Sequence, residues 1–166
     1  TLTIALRPDI ADAPARTLRA RIAAPRLNTE ASLRILDDRI ETIEPFEAQL
    51  TLQPSFLNAR LGETDPGGDR DLFVVGPTDA LVRIGRVAIG LGDAPLDPEI
   101  FDLDAQIECP SLRLRTQDGR TFIYGRVWAS AQSTDTPGLV QFNASLMDPG
   151  GRALRVDGRV ASLADS

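Results

Sequence analysis

The chain has 166 residues, with 24 acidic and 18 basic side chains and a net charge of −6. Every basic residue is arginine and histidine is absent. No Ser-His-Asp, Cys-His or Ser-Lys unit, Schiff-base lysine or P-loop can therefore be assembled within the chain. An acidic balance disfavours nucleic acid and anionic membrane as partners, and the length suits one domain.

Apolar residues make up 42% and charged residues 25%, the proportions of a folded globular chain and not of a disordered one. The longest compact apolar cluster, Leu72-Phe73-Val74-Val75, is far short of the ~18 residues of a membrane span, so no membrane insertion is expected. Arg7 and Arg16 precede no apolar core, so no signal peptide is expected in this chain. Cys109 is the single cysteine, which excludes an internal disulfide and any Cys-rich zinc site.

From the N-terminus, Leu2, Ile4 and Leu6 alternate with polar or small residues, the period of a strand with one buried face. Residues 9–26 read two ways. Asp12 before Pro14, with Leu18 and Ile22 four apart, fits a short helix; Leu18, Ala20 and Ile22 fit a strand, which an otherwise β chain favours. Within 1–26, Arg7, Arg16, Arg19, Arg21 and Arg26 face only two acids, Asp9 and Asp12, while the rest of the chain is strongly acidic. Residues 1–28 are accordingly expected to be an N-terminal arm or an edge strand, and 29–166 a single β-domain. Arginine forks that grip carboxylates in pairs would serve such an arm between subunits.

Strands are expected next at 32–36 and across Phe46, Ala48, Leu50 and Leu52. The break at 63–69 holds two glycines, and with Glu63, Asp65, Asp69 and Asp71 offers a weak calcium loop. Strands follow at 71–75 and 80–91. The acidic segment 93–108 contains no arginine. Asp102 and Asp104 share a strand face there and are the weak alternative for a metal, calcium. The reading preferred for them is a solvated face behind Phe101, Leu103, Ala105 and Ile107.

Further strands are expected at 111–116, 120–131 and 153–163, with another through Val140, Phe142, Ala144 and Leu146. Asp118-Gly119 marks a tight hairpin and Asp148-Pro149-Gly150-Gly151 a longer one. Asp135-Thr136-Pro137-Gly138 differs from an aspartic-protease Asp-Thr-Gly turn by the intervening Pro137. A strand–turn–arginine–strand pattern recurs around Arg39, Arg120 and Arg152 at uneven spacing, which fits shared hairpin construction better than a repeat. Leu50, Leu52, Leu103, Ile107, Phe142, Leu146, Val156 and Val160 are the expected core.

Phe122, Tyr124 and Trp128 fall on one face of the 120–131 strand, with Arg126 among them. Such a set serves as core, as a sugar- or base-stacking row, or as a contact for a protein partner. The expected fold is all-β, an antiparallel sandwich or barrel, with no cofactor. The expected role is non-enzymatic: a structural protein contacting protein subunits, itself or others, in a repetitive assembly. Virus or phage shell, decoration and tail subunits are of this type, by analogy of architecture, which would make its location the virion. A carbohydrate- or calcium-dependent binding module is the alternative.

Overall fold

In the computed structural model the described residues are 2–8, 16–63, 72–91 and 97–161. The strands are β1 (Leu2–Pro8), β2 (Arg16–Ala24), β3 (Leu27–Ile35), β4 (Arg39–Thr42), β5 (Phe46–Leu52), β6 (Leu72–Val74) and β7 (Thr78–Gly90). They continue with β8 (Asp102–Cys109), β9 (Leu112–Thr116), β10 (Thr121–Tyr124), β11 (Arg126–Ser133), β12 (Leu139–Met147) and β13 (Ala153–Ala161). One helix, α1 (Pro54–Glu63), stands between β5 and β6. A ten-stranded sheet runs β1-β2-β3-β4-β7-β8-β11-β12-β13, with β5 pairing β3 and β7, and a smaller sheet runs β10-β9-β6. The fold is all-β and antiparallel, as the alternation predicts.

β4 and β5 share one position in the large sheet. β3 pairs β4 through Leu33–Ile35 and β5 through Leu27–Thr29, while β7 pairs β4 through Ala88–Gly90 and β5 through Thr78–Ile84. Pro45, which lacks an N–H, lies in the break between them. The kink is tied back to β3: Ile43 N–H donates to the Ser32 carbonyl at 3.0 Å, and the Ser32 hydroxyl donates to Glu44 at 3.1 Å.

The register sorts side chains by face. Ile22, Thr29, Ala48, Val82, Ile107, Ala129, Ala144 and Val156 lie opposite one another in turn across the large sheet. The neighbouring row on the other face reads Glu47, Arg83, Gln106, Ser130, Asn143 and Asp157. Opposed residues of an antiparallel ladder project to the same side, so one face is apolar and the other polar. The pattern survives β7 because its register shifts between Ile84 and Arg86. Gly85 is the extra residue, and a Cβ there would lie 2.5 Å from an Asp104 carboxylate oxygen. Past this bulge Val87, not Arg86, continues the apolar face.

Several expectations need correction. The 120–131 strand is two strands in two sheets, because the chain crosses between them at Gly125, whose N–H donates to the Met147 carbonyl at 2.9 Å. The helix α1 is absent from the alternation reading; Pro54 opens it, and the Gln53 carbonyl accepts from the N–H groups of Phe56 and Leu57. Among the expected core, Leu50, Leu52, Leu103, Ile107, Phe142 and Leu146 are only half-buried, while Val156 and Val160 are exposed. The buried apolar residues are mostly small: Ala48, Val74, Ala80, Ala88, Cys109, Leu114 and Val140.

The three arginine-marked turns are indeed hairpins, β3–β4, β9–β10 and β12–β13. In each, the arginine carbonyl accepts the closing bond, from Leu36 N–H at 2.8 Å, Thr116 N–H at 2.9 Å and Asp148 N–H at 2.9 Å. Gly119 and Gly151 supply the positive φ that the second and third turns demand. Asp135-Thr136-Pro137-Gly138 lies in the β11–β12 loop, closed by Thr134 N–H donating to the Leu139 carbonyl.

Candidate functional site

The structure separates the aromatic row expected from the sequence. Phe122 and Tyr124 lie on β10 opposite Leu114 and Leu112. Trp128 lies on β11 of the large sheet, between Glu108 and Ser145, on the polar face. Gly125 breaks the strand that would have joined them, so the three do not form one stacking row. Arg126 stays beside Trp128, and its Nε donates to Glu108 at 2.9 Å. These two residues, with Asn143, Ser145, Met147 and Arg155, border an open depression of about 490 Å³.

Glu108 is the centre of a cross-strand charge ladder on that face. Arg83 reaches it from β7 at 3.9 Å and bonds Glu47 on β5 at 2.8 Å, a contact that raises the Arg83 pKa. Both arginines are well exposed, so each pair stabilises by only ~0.2–1 kcal/mol and mainly fixes the register of polar side chains. Cys109, next along β8, points to the apolar side. Burial first, and then the neighbouring Glu108 charge, push its thiol up, which disfavours the thiolate.

Of the N-terminal arginines, Arg7 lies on β1 opposite Thr17, with its side chain outside the described residues. Arg16, Arg19 and Arg21 lie on β2 opposite Ile35, Ser32 and Glu30, and Arg21 approaches Glu30 at 3.9 Å. Arg26 sits in the β2–β3 turn, where its carbonyl accepts from Thr51 N–H at 3.0 Å. Several strands separate this group from Arg126 and Trp128, so the expected contact residues occupy two regions and not one.

Asp102 and Asp104 do share the polar face of β8, opposite Ala88 and Arg86. Asp102 is ion-paired with Arg86, so a calcium ion there would have to displace a guanidinium. Asp97 accepts from Glu99 N–H at 3.0 Å with its side chain and from Ile100 and Phe101 with its carbonyl, which makes it a turn former. Residues 93–96 and the acidic loop of Asp65, Asp69 and Asp71 lie outside the described residues, as does the Glu63 side chain. Among the described residues no three potential metal ligands cluster, and no helix is long and apolar enough to cross a membrane.

The most distinctive surface includes two residues, Val156 and Val160, that sequence reasoning assigned to the core. Leu154, Val156 and Val160 on β13 are 65%, 52% and 42% exposed. They continue the apolar face that is covered at Ala48, Ala80, Cys109 and Val140, so cover falls away toward this edge. Comparison of the chain with protein-family models, with curated proteins and with solved structures gave no match.

Proposed function

We propose that this chain is a non-enzymatic structural subunit that acts by protein–protein contact in a repetitive assembly, of the kind that builds virus shells, tails or decorations. One observation carries the reading. Among the described residues, Leu154, Val156 and Val160 of β13 leave an apolar face open at the end of the large sheet, and Leu72, Phe122 and Ile123 are exposed on the small sheet. Among the described residues no large side chain is fully buried, as expected of a subunit whose core is completed by neighbours. Cross-strand ion pairs on the polar face, Arg34 with Glu41, Arg83 with Glu47 and Arg126 with Glu108, also favour scaffolding over chemistry.

Sedimentation velocity over a dilution series tests the proposal. The expected result is species heavier than 17.9 kDa at high concentration that dissociate on dilution. A single 17.9 kDa species at every concentration would overturn it.

A further inference from the structure

We infer that β13 pairs antiparallel with β13 of a second copy of this chain, about a two-fold axis at Gly158, so that one sheet runs through both protomers. The inference builds on the assembly reading and names the partner and the register. Among the described residues, β13 pairs only β12 and forms one end of the large sheet. Its sequence, Ala153–Ala161, has no proline to blunt the edge, whereas the opposite edge strand β1 ends in Pro8, which lacks a donor.

Parity limits the registers. The apolar face carries Leu154, Val156 and Val160 and the polar face Arg155, Asp157 and Arg159. Only registers that set even positions opposite even ones keep both faces continuous. Charge then discriminates among these. Within its own sheet, β13 sets Arg155, Asp157 and Arg159 opposite neutral Ser145, Asn143 and Gln141. None of the three forms an ion pair among the described residues. A two-fold at Asp157 would set that carboxylate against itself and Arg155 against Arg159. A two-fold at Val156 would set Asp157 against Arg155 twice, but it would also set Val160 of the apolar face against Arg152 and leave Arg159 against Ala153. A two-fold at Gly158 sets Asp157 against Arg159 twice and Val156 against Val160 twice.

The structure is shaped for that last register. The Phe142 ring leans over Gly158 so closely that a Cβ there would lie 2.4 Å from Cζ. An aromatic ring covering a cross-strand glycine replaces the missing side chain of an edge strand. With Gly158 facing Gly158 of the second copy, the two rings would flank the axis and cover the gap between them.

The test is charge reversal with mixing, read by sedimentation velocity. Asp157→Arg and Arg159→Asp each set like charges across the axis, and each is expected to weaken self-association at least about tenfold. Mixed in equal amounts, the two variants set arginines at both positions of one copy against carboxylates at both positions of the other, and association is expected to return. An independent variant, Val156→Cys/Val160→Cys, is expected to form a covalent dimer when mildly oxidised, because directly opposed strand positions lie within disulfide reach. If the parent chain associates but the variants associate equally well, or do not recover on mixing, or the cysteine chain stays monomeric, the β13 contact is refuted while the assembly reading stands. A parent chain that is monomeric throughout removes both.

Discussion

Removing the Asn58 side chain should detach α1 from the small sheet. β6 ends that sheet, and among the described residues no strand pairs its far side. Asn58 fills that place: its Nδ2 donates to the Val74 carbonyl at 3.0 Å, and its Oδ1 accepts from the Val74 N–H at 2.7 Å. A side-chain amide presents a donor and an acceptor side by side, as a strand residue does. Val74 is only 3% exposed, so water cannot take over either group. Leaving a buried backbone group unpartnered costs about 1–3 kcal/mol, and Asn58→Ala strands both, so a loss of about 2–6 kcal/mol follows. Asn58→Asp keeps the acceptor but turns a carboxylate oxygen toward the Val74 carbonyl. It should be destabilising at neutral pH, less so as acid protonates the new group and restores a donor. Urea unfolding followed by the fluorescence of Trp128, the single tryptophan, gives the magnitude, and hydrogen exchange at the Val74 amide gives the location. A change below about 0.5 kcal/mol, with Val74 protection intact, would refute the account.

Gly158→Ala should cost about 1–3 kcal/mol by driving a methyl into the Phe142 ring; the double variant with Phe142→Leu should recover part of it in the same urea titration. Gly119→Ala meets no neighbouring atom, so its cost is that of a side chain at φ 86°, about 1–2 kcal/mol, and Gly119→Asn should lose less. The raised Cys109 thiol means that the unfolded chain ionises first as the pH rises. Stability from this group is complete below the ordinary thiol range and is lost as pH climbs through the native value, a decline that Cys109→Ala should remove from a melting series. Asp102→Asn should change melting little, since its Arg86 partner is exposed and such pairs contribute ~0–1 kcal/mol.

The strands were legible because alternation is a local property, and it held through β5, β8, β12 and β13. The Gly85 bulge was not read within the 80–91 strand, although the apolar residues there switch from Ala80, Val82 and Ile84 to Val87. The crossing at Gly125 was not legible, because Tyr124 and Arg126 continue the same alternation through a change of sheet. Asn58 was missed for a different reason. A polar residue on a short, weakly patterned helix gives no sign that a distant strand edge needs it. Val156 and Val160 looked like core because periodicity reports which face a residue occupies, not whether anything covers that face.

The shared position of β4 and β5 has a mechanical consequence. β7 grips both segments over Thr78–Ile84 and Ala88–Gly90, but β3 is held only at its two ends, with the Ser32 links between. A pull on β1–β3 would therefore concentrate strain along a seam beside β3. The outer three strands could yield like a flap while the plate of β7, β8, β11, β12 and β13 kept its shape. A tug at one margin would be absorbed before it reached the other.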